Sequence, residues 1–375
     1  MRIAEDHHAA TDVRIRDQIA RVQPSVGAGW PLGTELANLA CCDADHGVAR
    51  YSLRDGRPRV IPFATPVAAI DARPVGDPMS EPTVEALYEQ VRGLVAAGAG
   101  AAPPDTAQTL PRLLPVAPGI RVLALRTPTL PPAAHTNVYL VGPDAGPVAV
   151  VDPGSPYPEQ QAILDQVLAE LPPAAILLTH HHGDHVGGAM ALAARWSVPI
   201  LAHAATADRL AGVVDVDQHV GDGETVHGAT AVFTPGHAEG HLCFTIGNAT
   251  IAGDMVAGIG TILIDPSEGD MAVYFASLER LLARPPMTLL PAHGPAILDG
   301  HGKLREYLAH RKAREAKALA ALGAEPRTLP ALVADVYSDT PRMLWPLAER
   351  SLLAHLVKLA REHRAIDDGA GRWSR

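Results

Sequence analysis

At 375 residues the chain is long enough for two or three domains. Its apolar share of 47% against 19% charged residues excludes global disorder, and with only 4% aromatic residues the core must be built mostly from Ala, Leu and Val. No apolar run approaches the ~20 residues of a membrane span. Glu5 and Asp6, close to the start, fit neither a secretory nor a transit segment. Three cysteines, two of them adjacent (Cys41 and Cys42), cannot make a disulfide framework and point to a reducing cytoplasm. The net charge of −10 disfavours a nucleic-acid coat, and 18 histidines invite a search for metal ligands.

Residues 1–115 carry a net charge of −3 and read as an α+β module. Short strands and turns are expected around 48–75, and Ser80 can cap a helix to about Ala97 with Val84, Leu87, Val91 and Leu94 on one face. Residues 98–119 are rich in Pro, Ala and Gly and read as a linker. From 116 to 300 the net charge is −12, and β-branched runs at 121–125, 137–141, 147–151 and 175–179 alternate with helical stretches at 157–171 and 188–196. That alternation is an α/β layout.

Residues 301–375 carry +5. They read as a helix over 303–322, a helix from Thr328 to about Tyr337, a third over 344–363 with Leu347, Leu352, Leu356 and Leu359 on one stripe, and a tail with Asp-Gly turn chemistry. Helix, helix, hairpin is the order of a small winged-helix unit.

The segment from Thr179 to His185 reads Thr-His-His-His-Gly-Asp-His between an apolar strand and a helix. Imidazole and carboxylate are ligands of borderline metals such as zinc. His180 and His182, two apart in a turning loop, can point at one ion, and Asp184 and His185 can reach a second. The plainer reading is a solvated polar loop, but three His and one Asp in this order between a strand and a helix argue for metal. Downstream, His237 follows Thr-Pro-Gly, Asp254 follows Ala-Gly, and His293 follows Pro-Ala, each at a strand end. Alone, each is more simply a hydrogen-bonded structural residue. Together they bring seven donors from four loops, enough for two metals.

This set of motifs resembles the metallo-β-lactamase superfamily over about residues 120–300. The resemblance implies an αββα sandwich with a dinuclear site at one edge. It implies His180, His182 and His237 on one zinc and Asp184, His185 and His293 on the other, with Asp254 bridging. Asp152 in Val-Val-Asp-Pro-Gly-Ser, together with Thr179, is implied as support behind the ligands; its plainer role is that of a turn former. The segments 271–281, 304–315 and 336–365 resemble the beta-lactamase-like protein 2 branch, which carries a C-terminal winged-helix-like extension. Residues 88–94 are faintly similar to a Nudix helix, but the acids that Nudix chemistry needs are missing after Leu94, so that module would be degenerate.

The resemblance implies a hydrolase with two Zn²⁺ per chain, a ligand set that also tolerates Mn²⁺ or Fe. A metal-bridging hydroxide would act with Asp184 and Asp254 as the catalytic carboxylates. An ester, thioester or lactone of a small molecule is the favoured substrate. Three relatives are disfavoured. An oxygen-reducing iron protein has Glu at His182, a secreted β-lactamase has Cys at Asp254, and a capped nuclease needs a long insertion where only 38 residues separate Asp254 from His293.

Two alternatives stay open. One is a single-strand endoribonuclease, in which Asn137, His310, Arg311 and Arg314 contact substrate or phosphate. The other is a nucleic-acid-binding or dimerisation protein with a structural zinc site. For Arg311 the plainer reading is surface pairing with Glu315. Cys243, inside Leu-Cys-Phe-Thr-Ile, reads as core, and His181 as facing solvent. No membrane partner is expected. The sequence leaves the oligomeric state open, and a homodimer is compatible with it.

Overall fold

A computed structural model describes residues 112–285 and 287–375, together with two short strands, β1 (Tyr51–Arg54) and β2 (Arg57–Val60). These two form an antiparallel pair with Tyr51 opposite Val60 and Arg54 opposite Arg57. The helix expected over 80–97 and the Nudix-like stretch 88–94 lie outside the described residues.

Among the described residues from 112 onward, seven strands make the first sheet, in the order β3 (Leu114–Ala117), β4 (Ile120–Arg126), β5 (His135–Val141), β6 (Val148–Val151), β7 (Pro173–Leu177), β8 (Ile200–Ala202) and β9 (Gln218–His219). Pairing is antiparallel from β3 to β6 and parallel from β6 to β9. The parallel step β6–β7 needs a crossover, supplied by α1 (Pro158–Glu170). All four residues of β6 are buried, which explains its unbroken Val-Ala-Val-Val run. The reading of 98–119 as linker fails at its end, because 114–117 is strand β3. Its Pro115 is tolerated there since β3 is an edge strand.

The second sheet runs β10 (Thr225–Val226), β11 (Ala229–Phe233), β12 (Leu242–Ile246), β13 (Ala249–Gly253) and β14 (Thr288–Pro291), antiparallel except for the parallel β13–β14 step. Tyr139, Val151, Leu177 and Leu201 of the first sheet meet Ala231, Leu242, Phe244 and Ile251 of the second in one buried layer. The outer face of the first sheet is covered by α1 and α3 (Ala189–Trp196) through Leu164, Leu168 and Leu192. The outer face of the second is covered by α5 (Met271–Leu282) and α6 (Gly300–Ala321) through Tyr274, Leu278, Leu304 and Tyr307. The result is helix, sheet, sheet, helix. The short helices α2 (Gly183–Val186) and α4 (Ala204–Leu210) follow β7 and β8.

The C-terminal part joins the end of α6, α7 (Leu329–Val336) and α8 (Trp345–Arg361) around Ala318, Leu332, Leu352, Leu356 and Trp373. A three-stranded sheet, β15 (Arg327–Thr328), β17 (Arg372–Ser374) and β16 (Ile366–Asp367), completes it. Strand β3 spans residues 114–117, and α6 begins at Gly300. No helix among the described residues is long and apolar enough to cross a membrane.

Candidate metal centre

The donors sit just past the ends of β7, β11, β13 and β14, and their support Asp152 just past β6, where the chain leaves each sheet. The first support is Asp152, one residue past β6, with φ of 51°, a left-handed turn that Asp tolerates better than most residues. Its Oδ1 accepts the Thr179 backbone N–H at 2.8 Å, and its Oδ2 accepts the Thr179 hydroxyl at 2.6 Å and the His185 Nδ1–H at 2.9 Å. Gly154 allows the two loops to close: a Cβ there would lie 1.7 Å from the Asp184 carbonyl oxygen.

Hydrogen bonds fix the tautomers around the first cluster. The Thr179 hydroxyl, having given its proton to Asp152, accepts His180 Nδ1–H at 3.0 Å. The Leu263 carbonyl accepts His237 Nδ1–H at 2.8 Å, and Glu268 Oε1 accepts His182 Nε2–H at 2.9 Å. The remaining nitrogens, His180 Nε2, His182 Nδ1 and His237 Nε2, therefore bear lone pairs, and they stand 2.9, 3.0 and 3.3 Å from one another. Three lone pairs facing inward repel unless they share a cation. Their spacing is close to the ~3.3 Å edge of a tetrahedron with zinc–nitrogen bonds of about 2.0–2.1 Å.

The second cluster repeats the logic. His185 Nδ1–H is held by Asp152, and His293 Nδ1–H donates to the His135 carbonyl at 3.0 Å. His293 Nε2 then faces Asp184 Oδ2 and Asp254 Oδ1, both at 3.4 Å, and His185 Nε2 lies 3.6 Å from Asp254 Oδ1. His185 Nε2 and Asp254 Oδ1 are buried without a hydrogen-bond partner. Asp254 turns its other oxygen, Oδ2, to His237 Nε2 at 3.6 Å, so one carboxylate touches both clusters. Four groups of three donors within reach of a single ion contain all seven predicted donors: His180, His182, His237; His180, His185, Asp254; Asp184, His185, His293; and a group of His181, His182 and Glu268. The residues fit a pair of metal ions.

The electrostatics agree. Burial, then the neighbouring imidazoles, push His180 well down, and burial with His182 lowers His237 to about 4, so these two rings stay uncharged and free to coordinate, whereas for His182 burial is outweighed by Glu268 and Asp184, which raise it. In the other half burial again works against charge, but Asp184, Asp152 and Asp254 outweigh it and raise His185 to about 10. Burial also opposes the Asp254 carboxylate, yet His293, His185 and His237 hold it well below the usual range. The carboxylate half thus draws positive charge, which a proton or a metal ion can supply.

Several expected roles come out differently. His181 does not face solvent: its Nε2 lies 3.2 Å from Glu268 Oε2. The Asn137 amide donates to the carbonyls of Pro291 at 2.9 Å and Gly294 at 2.8 Å, which ties β5 to the turn holding His293 and leaves that amide no donor for a substrate. Arg311 is 3% exposed. It donates to the Ile262 carbonyl, lies over the Tyr274 ring at 5.6 Å, and does not pair with Glu315, which binds Lys358 at 2.9 Å. Arg314 binds Asp339 at 2.7 Å and the Val336 carbonyl at 2.6 Å. Neither guanidinium is free for phosphate. His310 is exposed on α6, and burial together with Arg311 and Arg314 lowers its pKa. Cys243 is buried core as expected, its thiol pushed up to about 12 by burial.

Two residues escaped the sequence reading. His241, fully buried, accepts the Asp254 backbone N–H on Nε2 at 3.1 Å and meets the Thr234 hydroxyl through Nδ1 at 2.9 Å. Its place four residues after His237 was the available signal. Glu268 carried none, because it lies in an irregular loop far in sequence from the histidines it holds.

The pattern of the Metallo-beta-lactamase superfamily matches residues 131–293, and that of the Beta-lactamase associated winged helix domain matches residues 328–373. The chain is 30% identical over 264 residues to a Beta-lactamase-like protein 2 homolog of Drosophila melanogaster, covering 65% of this chain and 88% of that one. It is 32% identical over 292 residues to an Atrochrysone carboxyl ACP thioesterase of Claviceps purpurea (strain 20.1), covering 72% and 88%. The fold is shared with a crystal structure of a beta-lactamase domain protein from Burkholderia ambifaria, with a TM-score of 0.60 and 24% identity over 72% of this chain and 98% of that one. The chain belongs to the metallo-beta-lactamase superfamily of hydrolases, with a beta-lactamase-associated winged helix domain at its C-terminal end.

Proposed function

We propose that the protein is a dinuclear metal-dependent hydrolase of a small-molecule thioester, ester or lactone. The observation that carries this reading is the Asp254 carboxylate, one oxygen toward His237 and the other toward His185 and His293. His180, His182 and His237 would hold one ion, Asp184, His185 and His293 the other, with Asp254 between them. When bound, two such ions supply a nucleophilic hydroxide at neutral pH and a Lewis acid for the scissile carbonyl oxygen. Asp152, Thr179, Leu263 and His135 keep the ring nitrogens turned inward, so the chain does its orienting work before substrate arrives. Asp184 and Asp254 are the carboxylates we propose to act beside the cleaved bond, both favoured in the ionised form, against burial, by the neighbouring imidazoles. Zinc is the metal we propose; Mn²⁺ or Fe also suits this donor set.

Two observations support a small, largely apolar substrate. A cavity of about 870 Å³ adjoins the site beside His135 and Gly294, with walls that include Val116, Val122, Ala124, Ile259 and Pro295. A Claviceps purpurea relative is named for thioesterase action on an acyl carrier protein. The reading is tested by metal analysis and by turnover of one thioester, one lactone, one β-lactam and one RNA oligomer. Two metal ions per chain with thioester or lactone turnover is the expected result. A folded chain that binds no metal, or cleaves only RNA, overturns it.

A further inference from the structure

The loop between β13 and α5 backs the three-histidine cluster, and the C-terminal domain holds that loop. Leu263 accepts from His237, and Glu268 accepts from both His182 and His181. The loop lies tight against its neighbour: Asp270 N–H donates to the Gly236 carbonyl at 2.8 Å, and a Cβ on Gly269 would meet that same oxygen at 2.6 Å. Inside the loop, Asp265 Oδ1 accepts the Ser267 backbone N–H at 2.9 Å and its hydroxyl at 2.7 Å. From α8, the Arg350 guanidinium grips Asp265 with two bonds, Nε to Oδ2 at 2.8 Å and Nη2 to Oδ1 at 2.7 Å. The Asp265 carboxylate is 2% exposed, so this fork is screened from solvent. A second arm, Arg361 of α8, reaches Asp270, which caps the N-terminus of α5.

We infer that Glu268 is a positioning residue for the metal centre, and that Arg350 of the winged-helix domain holds Glu268 in place through Asp265. The Glu268 carboxylate selects the His182 tautomer that turns Nδ1 to the cluster. Without it His182 can flip or exchange its proton, and one of three coordinating lone pairs is lost part of the time. The Arg350–Asp265 fork fixes the backbone from which Glu268 projects. The winged-helix domain then serves the chemistry by bracing a ligand-supporting loop, separately from any binding partner of its own. This rests on the metal-site reading above.

The test measures Zn²⁺ affinity of the full chain against a competing chelator, with the absorption spectrum of the Co²⁺-loaded protein as a second readout. Glu268→Ala should weaken binding of the ion at His180, His182 and His237 by roughly 10- to 100-fold. Glu268→Gln, whose carbonyl oxygen can still accept from His182, should restore most of that loss. Arg350→Met should weaken the same ion by a smaller factor and shift the Co²⁺ spectrum the same way. Combining it with Glu268→Ala should add nothing beyond Glu268→Ala alone. If Arg350→Met lowers unfolding stability but leaves Zn²⁺ affinity and the Co²⁺ spectrum unchanged, or if the two effects add in full, the brace is overturned. Should Glu268→Ala not fold, Arg350→Met against the wild type carries the test through the same two readouts. A wild-type chain that binds no metal would sink the metal-site reading itself, whereas Glu268→Ala and Arg350→Met chains that bind as well as the wild type sink only this inference.

Discussion

The Nδ1–H of His185 donates to Oδ2 of Asp152 at 2.9 Å, and this contact decides which ring nitrogen of His185 faces the metal cluster. The same carboxylate takes two bonds from Thr179, which in turn orients His180. One side chain therefore orients a candidate donor in each half of the site. Asp152→Ala should leave three buried hydrogen-bonding groups unpaired, lowering stability by roughly 3 kcal/mol. It should also weaken metal binding by roughly 10- to 100-fold. Urea unfolding of the metal-free chain and a chelator competition measure the two effects separately, and unchanged metal affinity would refute the orienting role.

Gly253 sits at φ 49°, immediately before Asp254. A Cβ there would lie 2.6 Å from His241 Nε2 and 3.0 Å from Thr179. Gly253→Ala should cost on the order of 3 kcal/mol, from the left-handed backbone and the forced shift of a fully buried ring. Because His241 holds the Asp254 backbone N–H, hydrolytic activity should fall further than stability explains; kcat measured well below the unfolding temperature checks this.

Arg311 and Arg314 face inward, so their loss should unsettle the fold rather than weaken an RNA contact. Arg311→Met leaves the Ile262 carbonyl without its partner and should destabilise by about 2–3 kcal/mol. Cleavage of a single-stranded oligoribonucleotide that fell with this substitution at unchanged stability, and that weakened steeply with salt, would restore the nuclease alternative.

Asp265 gives a pH signature. Burial raises its carboxyl, but the Arg350 fork and Ser267 outweigh this and hold it below the ordinary value. A depressed carboxyl stabilises the fold fully above its unfolded value of about 3.9 and loses that contribution as pH falls through the folded value. The stability gap between wild type and Arg350→Met should therefore be constant above about pH 5 and close as pH drops below 4. Urea titrations across that range test it, and a gap that widened in acid would contradict the assignment.

The candidate metal donors were legible in the sequence, because they sit where strands end. Thr179 to His185, His237, Asp254 and His293 each follow an apolar run and a turn, so residue type and position are visible without coordinates. The alternation of strands and helices, the C-terminal helices and the burial of Cys243 were legible for the same local reason. Residues 114–117 were misread because Pro-rich composition signals a linker, while an edge strand can also accept Pro. Roles that depend on contacts far apart in sequence were decided by the tertiary structure. Arg311 belongs to Ile262 and Tyr274, not to Glu315. Glu268 reaches back 86 residues to His182, and Arg350 reaches back 85 to Asp265. Local spacing encodes which side chains can coordinate. Only the packed fold determines which hydrogen bonds choose their tautomers, because those partners are brought together by the two sheets and the helices laid across them.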